Sequence, residues 1–237
     1  MDDLATMLWK EAAELVGNRR YLRVFVLAVL ALGILPGLAQ PPAAPAPLVR
    51  LFLLLRLAYV LLAAVIMVAQ TAPDLVLHER VGRTLDYLLA TRLTDGAIFG
   101  GKVVVAAAVG YAGGLAAMGV QLVVADLRGG GGWQWLYLAF PVGRWIAFAV
   151  MAVLVAYVAV VGTFVALRVG DQRAAYMVTV ASLFLPALPF VLHLATLSPT
   201  TGWFVRATAL FALVVAAMAA AGFRLFRREM LALYLQE

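Results

Sequence analysis

Long apolar blocks separated by short polar intervals make up almost the whole chain. A soluble helix would show a polar face every few residues, and these blocks do not. Their length matches the roughly 20 apolar residues that a helix needs to cross the hydrocarbon of a bilayer. Spans are predicted at about residues 24–39, 51–71, 103–125, 145–167, 174–190 and 203–223. Pro41, Pro42, Pro45 and Pro47 mark the loop after the first span, and Pro73-Asp74 is the expected stop of the second. Arg128 and four glycines lead to Trp133, Trp135, Tyr137 and Phe140, which read as an aromatic belt at the outer surface. The fifth span is less regular, because Pro186 and Pro189 interrupt it. It is read either as a short helix followed by a re-entrant hairpin through Thr200 or as one kinked helix. The predicted fold is an all-α polytopic membrane protein of one domain, residues 1–237.

Residues 1–22 precede the first span and have a different pattern. Leu4, Leu8, Ala12 and Leu15 form one stripe at helical spacing, with Lys10 and Glu14 paired four residues apart. Asp2 and Asp3 oppose the positive start of a secretory signal, so a helix lying along the membrane surface is expected, with a frayed tail as the plainer reading. The longest polar interval is residues 74–102. Within it Leu85, Leu88 and Leu89 recur at helix spacing, while Arg80, Arg83 and Asp86 fall on other faces. Thr84 and Asp86 suit a helix end, and two short helices broken around Thr91 to Gly96 are predicted.

Glu79-Arg80, Thr84-Leu85-Asp86, Leu88-Leu89-Ala90-Thr91 and Gly101-Lys102 resemble the cytoplasmic loop of type-2 permeases of ATP-binding-cassette (ABC) exporters. Arg83 stands where that family usually has Gly, and Arg92 where it often has Pro. The resemblance implies that residues 74–102 carry a coupling helix docking on a separate ATPase subunit. Glu79, Arg80, Arg83, Thr84, Leu85, Asp86, Leu88, Leu89 and Thr91 would form that interface, the leucines filling a groove and the charges its rim. It also implies an N-terminal elbow helix, an outer hairpin before the last span, and a second permease subunit, identical or different. For the leucines, packing on the protein's own inner ends or on lipid is the structural alternative.

Gly96 to Lys102 fits the front of a phosphate-binding loop, but Val103 replaces the magnesium-binding Ser or Thr and no buried strand precedes it. No nucleotide site is expected in this chain, and ATP and magnesium are assigned to the partner ATPase. The chain is 65% hydrophobic and 13% charged, with a mean hydropathy of +1.01. With no cysteine and two distant histidines, His78 and His193, no metal site is expected. No Asp or Glu falls well inside a predicted span, which weighs against an ion-coupled carrier and against an aspartyl intramembrane protease.

Six spans place both termini on one side. With that side inside, thirteen of the 18 basic residues lie at inner segments, which predicts cytoplasmic termini in a bacterial plasma membrane. The net charge of +6 therefore fits a membrane face better than nucleic acid. Arg56 is the one basic residue set within a span and away from its end, either snorkelling to outer headgroups or serving a substrate path. Gly110 and Gly114 form a small-xxx-small pattern for close helix packing, within the subunit or at a dimer seam. The functional expectation is the permease subunit of an ABC exporter, with a non-transporting membrane scaffold as the main rival.

Overall fold

The computed structural model describes residues 2–38, 46–81, 93–127, 141–194 and 200–225. Among them the chain forms seven helices and no strand: α1 (Asp2–Gly17), α2 (Arg19–Leu38), α3 (Ala46–Val81), α4 (Asp95–Leu127), α5 (Pro141–Arg168), α6 (Gln172–Leu194) and α7 (Thr201–Leu225). Helices α2 to α7 coincide with the six predicted spans, and each is long and apolar enough to cross a membrane. The belt of Trp133, Trp135, Tyr137 and Phe140 lies outside the described residues.

The centre of the bundle is α3, α4 and α5. Val60, Ala64 and Val68 of α3 are buried against Ala106 of α4 and Met151, Val155 and Val158 of α5. Helices α2, α6 and α7 sit around this core with apolar side chains facing outward, among them Leu27, Phe184, Leu185 and Leu213. Such exposure is costly in water and natural against lipid tails. Glycines set the closest approaches. A Cβ at Gly33 or Gly37 of α2 would fall 2.7 Å or 2.9 Å from the Cβ of Val120 or Val124, so α2 lies almost backbone to backbone on α4.

Three expectations are corrected, and one open alternative is decided. Residues 1–22 are two helices rather than one, divided at Asn18. The Asn18 Oδ1 accepts the backbone N–H of Tyr21 at 3.2 Å and so caps α2. The second span does not stop at Pro73. Helix α3 continues to Val81, because Leu75, Val76 and Leu77 are buried and Gly162 of α5 leaves room for the Pro73 ring. Helix α4 likewise starts at Asp95, eight residues ahead of the predicted span, with Thr94 Oγ1 accepting the Ala97 N–H at 3.3 Å. The polar interval 74–102 thus shrinks to residues 82–94, of which 82–92 lie outside the described residues.

Of the two readings of the fifth span, α6 takes the single helix, running through Pro186 and Pro189 to Leu194. Residues 186–194 are therefore helix rather than hairpin. Pro186 cannot donate to the Ser182 carbonyl one turn earlier. The Tyr157 hydroxyl of α5 donates to that carbonyl at 3.1 Å instead, and a neighbouring helix thereby supplies the lost bond. His193 stacks on Trp203 with ring centroids 4.0 Å apart and accepts the Thr200 N–H at 3.4 Å, which ties α6 to α7.

Candidate functional site

Helices α3 and α4 hold 36 and 33 residues. At ~1.5 Å per residue they are roughly 50 Å long, well beyond the ~30 Å hydrocarbon thickness. Their excess length includes the two stalks that lead into and out of residues 82–92. At the base of those stalks the sequence puts charge where a membrane helix normally has none.

Lys102, one residue after Gly100-Gly101, is 2% exposed. Its Nζ lies 2.8 Å from Glu11 Oε1, 2.7 Å from Glu79 Oε2 and 2.7 Å from the Leu75 carbonyl oxygen. Glu11 Oε1 and the Leu75 carbonyl oxygen accept hydrogen bonds from this ammonium group, and Glu79 Oε2 meets it as an ion pair. Lys10 closes the far side, pairing with Glu79 and reaching Glu11 at 3.4 Å and Glu14 at 3.5 Å. Glu11 and Glu79 are buried. The cluster therefore joins α1, the end of α3 and the start of α4 in one knot of alternating charge. Glu11, Glu14 and Glu79 come close enough together to hold a cation, but the two lysine ammonium groups already supply the positive charge there.

The glycines before Lys102 make this approach feasible. A Cβ on Gly101 would lie 2.6 Å from Met7 Cγ, so Met7 of α1 occupies the space of a missing side chain. Phe99 seals the next turn, edge-on to Phe164 of α5 and Phe223 of α7 at 5.7 Å and 5.3 Å. Helix α1 thereby turns its charged side inward. Met7 and Glu11 are buried, whereas Leu4 and Ala12 of the predicted stripe are exposed and Leu8 and Leu15 only partly covered. The outward face carries Ala5, Trp9, Ala12, Ala13 and Val16, with Trp9 79% exposed.

Burial pushes the Glu11 carboxyl above the usual range, and the charge of Glu79 adds to this, although Lys102 and Lys10 oppose it. The other oxygen, Oε2, has no partner among the described residues, so a proton can rest there. Burial pulls Lys10 down, but its bond to Glu79 and the charges of Glu11, Glu79 and Glu14 outweigh that and hold it above its ordinary value. A folded Glu11 with a raised pKa binds its proton more tightly than the unfolded chain does. Its contribution to stability is present below the ordinary carboxylate range and is lost as pH rises through the raised value. Glu11→Gln is accordingly expected to flatten the decline in stability as pH rises above the ordinary carboxylate range, measured by detergent unfolding as a function of pH. A decline as steep as that of the parent chain would place the titrating group elsewhere.

The sequence-predicted residues divide in three. Glu79 stands in the last turn of α3 and faces its own bundle rather than outward, because Lys102 and Lys10 draw it in. Arg80 belongs to the same turn. Arg83, Thr84, Leu85, Asp86, Leu88, Leu89 and Thr91 lie outside the described residues. Arg56 is 4% exposed, so its head does not snorkel into lipid. It sits 5.2 Å over the Phe52 ring and points Nη2 at the Gly37 carbonyl at 3.4 Å, joining α3 to the end of α2. Gly110 and Gly114 face α3 and α5 within the same chain.

Sequence reasoning missed Glu11 and Lys102 as a pair. The available signal was a lone lysine after two glycines at the head of a long apolar run. The stretch Gly96 to Lys102 is helical, with its lysine committed to the carboxylates. No family model matches the chain, and no curated protein matches it either.

Proposed function

We propose that this chain is the membrane-spanning permease subunit of an ABC exporter, driven by a separate ATPase that grips residues 82–92. The chain itself carries no nucleotide site in this reading; ATP and magnesium belong to the motor. Two such subunits, identical or different, enclose the path, with the termini and the 82–92 segment on the cytoplasmic side of a bacterial plasma membrane. Helix α1 is the elbow in this reading, with Trp9 and Val16 in the interfacial lipid. The likeness of Glu79 to Lys102 to the coupling loop of type-2 permeases supports this, as does the inward bias of basic residues.

The observation that carries the proposal is the ion-paired knot at the foot of that segment. A motor pushing on one loop moves a bundle only if the push is not absorbed locally. Breaking a buried ion pair costs about 3–5 kcal/mol, so α1, α3 and α4 respond as one body. That is the rigid transmission a rocking mechanism needs. Purification of the tagged chain from its native membrane, where any cassette ATPase that serves it is present, tests the reading. The parent chain is expected to retain the ATPase stoichiometrically through purification, and Leu88→Asp to reduce retention at least tenfold. A parent chain that retains no ATPase would end the exporter reading.

A further inference from the structure

Gln70, Asp74 and His78 follow one another at four-residue intervals on α3 and form one polar stripe along it. They line an open cleft of about 1010 Å³ that α3 shares with the junction of α1 and α2 and with the start of α6. That volume matches the upper end of ordinary small-molecule sites, ~300–1,000 Å³. No described residue hydrogen-bonds the half-buried Gln70 amide.

The cleft has two chemical ends. At the polar end, Gln172 Nε2 donates to Asp74 Oδ1 at 2.6 Å, and Arg173 follows it on the lining; His78, Glu14 and Glu79 complete that end, the two glutamates already paired with lysines. Toward the lipid, Val24 of α2 and Met177 of α6 form apolar walls, 44% and 68% exposed. With Glu14 and Glu79 engaged by lysines, a purely anionic head would meet Asp74, and a purely cationic one would meet Arg173. A head carrying both charges meets a partner for each.

We propose that this cleft binds the zwitterionic head of a membrane phospholipid, its ammonium toward Asp74 and its phosphate toward Arg173. Gln70 hydrogen-bonds the linkage below the head, and the chains leave along Val24 and Met177 into the leaflet. The site depends on the membrane character of the chain and not on the motor.

The chain has no cysteine, so Met177→Cys provides a single attachment point for an environment-sensitive fluorophore. The labelled protein in maltoside micelles is titrated with short-chain phosphatidylethanolamine or phosphatidylglycerol. Saturation at about tenfold lower mole fraction of phosphatidylethanolamine is expected, with Asp74→Asn plus Arg173→Gln removing that preference. Equal half-saturation for the two lipids, or a preference that survives the double change, means annular lipid only and overturns the site. Should the double variant not fold, Gln70→Leu decides: about threefold weaker phosphatidylethanolamine binding supports the site, and unchanged binding sinks it. No ATPase is present in the titration, so its failure and the failure of the exporter reading are separate events.

Discussion

Lys102→Met is expected to destabilise the folded chain by about 3–5 kcal/mol, seen as a lower midpoint of detergent-induced unfolding followed by circular dichroism. The methionine has nearly the volume of the lysine stem, so the space the side chain fills changes little. What changes is charge. Glu11 and Glu79, both buried, would face each other across the vacated position with only the half-exposed Lys10 to balance them. The Leu75 carbonyl would lose the ammonium donor as well. The cost comes from orphaned carboxylates rather than from a lost attraction, and this gives the test a second arm. Adding Glu11→Gln and Glu79→Gln to Lys102→Met removes the uncompensated charge and is expected to recover more than half of the loss. A loss under about 1 kcal/mol for Lys102→Met alone would mean that water reaches the cluster, as at an ordinary surface pair.

The positions of the spans were legible because the signal is long and redundant. A block of twenty apolar residues survives any single misreading, and all six blocks correspond to helices. Their ends were less legible, for specific reasons. Pro73 reads as a stop because proline forfeits a backbone bond, yet the residues beyond it are buried on α5 and hold the helix together. Pro186 reads as a break for the same reason, and only the folded structure reveals Tyr157 replacing the missing donor. In both cases a distant residue overrode a local rule.

The inward charge of α1 was illegible for a different reason. The stripe of Leu4, Leu8, Ala12 and Leu15 predicts a helix along the membrane surface and says nothing of what its charged side meets. Beside a membrane the exterior is apolar, so the charged side can turn inward whenever partners wait there. Lys102 and Glu79 are those partners, 91 and 68 residues further along the chain from Glu11, beyond the reach of any local pattern. The leucines Leu85, Leu88 and Leu89 rest on sequence likeness and on the co-purification test.

Gly110→Ala is expected to cost about 1–3 kcal/mol, and Gly119→Ala, on the same helix, to be neutral or to stabilise by up to ~1 kcal/mol. The substitution is identical and helix propensity favours alanine at both sites, so the contrast isolates packing. A Cβ at Gly110 would lie 2.7 Å from the Val68 Cβ, 3.0 Å from the Ala64 carbonyl oxygen and 3.2 Å from Val155 Cγ1. Two of these atoms are backbone or next to it, so relief requires α3 and α4 to move apart. At Gly114 the nearest atoms are Met151 Sδ at 2.6 Å and Ala64 Cβ at 2.8 Å. The flexible methionine can yield there and Ala64 cannot, which predicts an intermediate cost. Nothing lies within 4 Å of a Cβ at Gly119. Because every obstructing atom belongs to α3 or α5 of the same chain, the Gly110→Ala loss should not change with protein concentration in the micelle. A loss that disappears on dilution would place this glycine at a seam between subunits.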